Sequence, residues 1–122
     1  MEVAAHTLIG LLNALVSLVS GVSALVGVAR PAMALAAGEQ LNTAVVFFAR
    51  AYAARAVPLS AVLLVQLAAG AWDGLAPVLI VAGLAQLGDA AIGAARRNTG
   101  MLLTTVLLAA VHLGSAGWLL TH

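Results

Sequence analysis

Four apolar runs, each long enough to cross a bilayer, dominate this chain: residues 7–28, 43–70, 75–95 and 101–120. A hydrocarbon core about 30 Å thick needs about 20 helical residues, and in lipid every backbone N–H and C=O must be satisfied within the protein. The expected fold is therefore all-α: a single-domain, integral membrane four-helix bundle over residues 1–122. Thr7 to Val28 contains no charged residue. The second run is long and contains Pro58, whose missing N–H and ring clash bend a helix near Ala54 and Arg55.

The interruptions read as turns. RPAMALAAGEQLN at 30–42 combines an Arg-Pro pair, a Gly and Glu39, and Asn42 or Thr43 can cap the helix that follows. WDG at 72–74 is a tight turn with an interfacial Trp, and RRNTG at 96–100 closes the third span. Arg30, Arg96 and Arg97 lie in the first and third loops, whereas the termini and the WDG turn carry no Arg or Lys. By the positive-inside rule those two loops face the cytoplasm and both termini face the extracytoplasmic side of the cell's inner membrane. The start MEVAAHTLIG lacks the positive n-region of a signal peptide, so the first span is expected to be retained. SALVGVAR at 23–30 aligns with DAAIGAAR at 89–96, the signature expected of a duplicated helical hairpin.

Composition narrows the function classes. Hydrophobic residues make up 64% and charged residues 7%, against roughly a quarter charged in soluble proteins. Five arginines and four acids leave no basic face, so nucleic-acid binding is not expected. The absence of cysteine excludes disulfides, thiol catalysis and thiolate metal sites. His and acids lack ligand spacing on any one helix, so neither a metal nor another cofactor is expected. Lipid offers helices no hydrophobic reason to associate, and the small residues Gly10, Ala14, Ser17, Gly21 and Ala24 form a packing stripe on the first span.

The polar residues inside the spans carry the functional signal. At 1.5 Å per residue from the cytoplasmic ends, Arg50 and Asp89 each lie about 10 Å deep, Gln86 about 15 Å and Arg55 about 18 Å, with His112 at a similar depth to Arg55. Gln86, Asp89 and Gly93 share one face. Phe48, Arg55, Val62 and Gln66 share another, with Arg50 pointing about 140° away from Arg55. A charge at this depth is expensive without a partner, so Asp89 is expected to pair with Arg55 or Arg50 inside the bundle, with Glu39 at the mouth of the same cavity. The same pair could instead be structural, fixing helix register. His112, on a face with Thr105, Ala109 and Ala116, is either a proton-transfer partner or an interhelical hydrogen bonder.

The segments GVSALVGVARPAMALA, FFARAYAARAVPLSAVLL and IVAGLAQLGDAAIGAAR, followed by a plain apolar fourth helix, resemble the DoxX-like group of small bacterial four-helix membrane proteins. The resemblance implies a four-helix membrane bundle and no particular activity. The thiol motifs of redox-linked relatives are absent, which argues against electron transfer.

The leading expectation is an acid–base enzyme that opens, cyclises or isomerises a lipophilic polyketide- or terpenoid-like molecule. Asp89 would move the proton, Arg55 or Arg50 would stabilise developing negative charge, and Gln86, Tyr52 and His112 would position the substrate. The alternatives are an oligomeric proton- or cation-coupled transporter and a structural assembly subunit. The expected partners are the bilayer, a lipophilic small molecule and further copies of the chain.

Overall fold

A computed structural model describes residues 2–122 as four α-helices joined by short connections: α1 Glu2–Ala29, α2 Thr43–Ala68, α3 Leu75–Ala95 and α4 Thr99–Thr121. Each is long and apolar enough to cross a membrane, which makes the chain a multi-pass membrane protein. α1 extends one turn further toward the N-terminus than the uncharged run because Glu2 suits a helix N-terminus. A single 3₁₀ turn, Pro31–Ala34, interrupts the first loop, with Pro at its first position.

Local chemistry fixes the helix ends. The Asn42 side chain accepts from Val45 N at 2.9 Å and caps α2, and Asn98 accepts from Met101 N at 3.1 Å and caps α4. α2 and α3 end in the same way. In α2, Ala71 N donates to Gln66 O and Gly70 N to Leu67 O; in α3, Asn98 N donates to Gly93 O and Arg97 N to Ala94 O. Both are Schellman motifs, which place one residue in the left-handed region. Gly70 fills that position in α2 at φ 66°, whereas α3 places Arg97 there at φ 55°.

The helices associate mainly as sequential pairs, α1 along α2 and α3 along α4, with sparser α1–α4 and α2–α3 contacts closing the bundle. Small residues permit the close approaches. A Cβ on Gly93 would lie 2.9 Å from the Leu102 backbone nitrogen, and one on Gly21 would lie 3.3 Å from Ser60 Cβ. One apolar cluster joins Leu63, Leu75, Leu79 and Ala116; a second joins Ala24, Ala53 and Ala56.

Two expectations shift. On α1 the inward face is Ile9, Asn13, Val16, Ser17, Ser20 and Ala24. Ser17 and Ala24 of the expected stripe are buried, while Gly10, Ala14 and Gly21 sit at its half-buried edge. On α2 the inward residues are Ala53, Ala56, Ser60 and Leu63, so the face through Arg55 and Val62 is a flank rather than the interior. Small side chains let α2 approach α1 closely, and long ones are left at the side. α2 runs through Pro58 as one continuous helix.

Candidate functional site

Arg55 and Asp89 form an ion pair between α2 and α3, the guanidinium Nη2 donating to Asp89 Oδ1. Asp89 is buried on the inward face of α3 with Gln86 and Gly93, as the spacing on that helix required. Arg55 reaches it from the flank of α2, and its side chain stays 44% exposed. Arg50 takes no part: it is exposed on the outer side of α2, where its modest depth lets it extend toward headgroups.

Glu39 also belongs elsewhere. It pairs with Arg96, which donates from Nη2 to Oε1 at 2.6 Å and from Nε to Oε2 at 3.1 Å, while Ala36 N donates to Oε1 at 3.1 Å. The Arg96 bonds, with the Ala36 N–H second, hold the Glu39 carboxyl below its usual range. This clasp ties the first loop to the third, assisted by Asn98 Nδ2 donating to Ala34 O at 3.1 Å. Arg96 also lies over the Phe48 ring, 5.4 Å from its centroid. The polar residues expected around one cavity thus divide into an Arg55–Asp89 pair buried only on the Asp89 side and a Glu39–Arg96 clasp between loops.

The main cavity, about 570 Å³, lies between α1, the first loop, α2 and the N-terminal part of α4. Its walls are mostly apolar, including Val26, Met33, Phe48 and Leu108, with Tyr52, Ser20, Ser23, Thr104 and Arg96 as polar members. Neither Asp89 nor Arg55 borders it. Tyr52 links the two regions: it lines the cavity, and the Arg55 guanidinium carbon is 5.8 Å from its ring centroid.

Two buried hydrogen-bonded groups join the helices around Gln86 and His112, and their partners Ser20, Asn13 and Ser115 were not expected from the sequence. Gln86 Nε2 donates to Ser20 Oγ at 3.0 Å. Asn13 Nδ2 donates to Ile9 O and to Ser115 Oγ, both at 2.8 Å, and its Oδ1 is 2.9 Å from His112 Nδ1. His112 therefore joins α4 to α1 through Asn13 and does not approach Asp89 through a direct hydrogen bond. Asn13, Ser17 and Ser20 recur at i, i+4 and i+7, a one-face helical spacing like the i, i+3 and i+7 of Gln86, Asp89 and Gly93. That pattern is readable in the sequence, although no charge on the first span marks it.

Among the described residues, no group of three or more His, Asp or Glu side chains is placed to hold a metal ion. Comparison of the chain with family models, with curated proteins and with solved structures gave no match.

Proposed function

We propose that the protein binds a neutral lipophilic molecule in the 570 Å³ cavity and acts on it by proton transfer, with Tyr52 as the group that meets the ligand. The observation that carries this reading is the character of the wall. A cavity of this size suits a small organic ligand, and its surface is apolar with a few convergent polar groups. Its one charged member, Arg96, is already neutralised by Glu39. The remaining polar side chains are hydroxyls and an amide, so a ligand bearing carbonyl or hydroxyl oxygens is matched and a charged one is not.

Tyr52 donates its phenolic proton to a ligand oxygen as a bond rearranges, and takes one back when the product forms. Arg55, beside the Tyr52 ring, stabilises the developing phenolate, and Asp89 fixes the guanidinium in place. Asp89 is a positioning residue in this scheme because it does not border the cavity. Opening, cyclisation or isomerisation of a polyketide- or terpenoid-like ring fits this chemistry, and membership of the DoxX-like group accords with the four-helix architecture.

The reading includes assembly of several copies in the inner membrane. α2 is the least apolar helix and also the least covered by the rest of the chain, and it leaves Arg55 half-exposed at mid-membrane depth. A guanidinium facing lipid there is costly, and a second copy against this flank removes the cost.

Conversion of a lipophilic extract by purified protein in nanodiscs, without added cofactor, tests the reading. Tyr52→Phe is expected to lower the rate at least about a hundredfold while ligand binding persists. Conversion by Tyr52→Phe at the wild-type rate would remove Tyr52 from the chemistry.

A further inference from the structure

A second, much smaller chamber of about 20 Å³ lies deeper in the bundle, bordered by Ser17, Ser60, Gln86, His112 and Arg55 among others. Two of the residues that border this chamber carry a buried polar atom with no hydrogen-bond partner within the protein, Ser17 Oγ and Gln86 Oε1. Ser17 is 1% exposed and Gln86 6%. Leaving such groups unpaired costs about 1–3 kcal/mol each, so their convergence on one chamber calls for a partner.

His112 supplies the third contact, and its tautomer follows from its neighbour. Asn13 uses Nδ2 to donate to Ile9 O and Ser115 Oγ, which leaves Oδ1 as an acceptor. The His112 Nδ1 facing that oxygen carries the proton. In a neutral ring Nε2 is then an acceptor, on the edge away from Asn13.

We infer that the chamber is a binding site for one water molecule, which donates to Gln86 Oε1 and His112 Nε2 and accepts from the Ser17 hydroxyl. The volume is sufficient, since a single water needs a cavity of roughly 10–15 Å³, and three partners are typical of a buried water. Ion binding fits less well. Arg55 in the wall opposes a cation, and the two acceptors Gln86 Oε1 and His112 Nε2 oppose an anion. The water connects α1, α3 and α4 in one hydrogen-bonded network. Ser20 borders this chamber as well as the main cavity and accepts from Gln86, so the network ends at the cavity wall. The site stands on its own contacts and does not depend on what the larger cavity holds.

Solid-state NMR on ¹⁵N-His, ¹⁵N-Gln labelled protein in lipid tests the inference. The expected result is magnetisation transfer from a slowly exchanging water to the His112 ring and Gln86 side chain, with Nδ1 protonated and Nε2 not. Ser17→Val, which fills the chamber, is expected to abolish the transfer. Should Ser17→Val not fold, Ser17→Ala removes one of the three partners and is expected to shorten the water's residence time by at least tenfold. Absence of transfer in folded wild-type protein, or a proton on Nε2 in place of Nδ1, would overturn the site.

Discussion

Asp89 and Arg55 were each identifiable from depth alone, because a charge ten or more ångströms into an apolar helix needs a reason to be there. Which arginine serves Asp89 was not identifiable, since it depends on how α2 is rotated against α3, and that rotation is set by where Ala53, Ala56 and Ser60 allow α1 to approach. The pair makes a definite prediction. Asp89→Asn leaves Arg55 without its counter-charge and is expected to cost about 3 kcal/mol, the low end for breaking a buried pair because Arg55 is half-exposed. Adding Arg55→Gln is expected to recover most of that loss, as read by thermal unfolding in detergent; additive single effects would contradict the pairing. Glu39 behaves differently because its site is outside the spans. Its carboxyl is held below the usual 4.5, first by Arg96. The clasp is therefore fully formed above about pH 4.5 and is lost as pH falls through the lowered folded value. Thermal midpoints measured across acid pH are expected to show this loss in the wild type and not in Glu39→Gln.

The four helices were legible from run length, and the Asn42 cap and the WDG turn from their local chemistry, whereas α2 continues through Pro58 as a single helix. The end of α3 was less legible, because nothing in RRNTG announces that an arginine occupies a left-handed position. Comparison with α2 identifies the strain: Gly70 and Arg97 hold equivalent places in the two Schellman motifs. Arg97→Gly is expected to stabilise the fold by about 1 kcal/mol, since glycine has no Cβ to clash at positive φ. The opposite outcome belongs to Gly93. A methyl there meets the Leu102 backbone, which cannot move aside as a side-chain tip can, so Gly93→Ala is expected to destabilise by about 1–3 kcal/mol. Gly88→Ala, with nothing within 4 Å, is the matched control on the same helix and is expected to leave the unfolding midpoint nearly unchanged.

As a whole, the molecule places Trp72, His6, Trp118 and His122 at one end and Glu39, Arg96 and Asn98 at the other. The main cavity lies toward the end that carries Glu39 and Arg96, which the positive-inside rule expects to face the cytoplasm. A cysteine at exposed Thr99 is expected to be protected from impermeant reagents added outside intact cells, and selective outside labelling would reverse the assignment. No run of residues in the sequence foretold the cavity, because its walls come from α1, α2, α4 and a loop whose 3₁₀ turn and clasp are tertiary features. The binding role of that cavity is the centre of the proposed function. Native mass spectrometry of protein purified in lipid nanodiscs measures it most directly, comparing wild type with Ser23→Trp, which puts an indole at a residue that lines the cavity. The account predicts that the wild type retains a neutral lipophilic molecule at close to one per chain and that folded Ser23→Trp retains none. Equal retention by the two proteins, or a retained molecule that carries net charge, would contradict it.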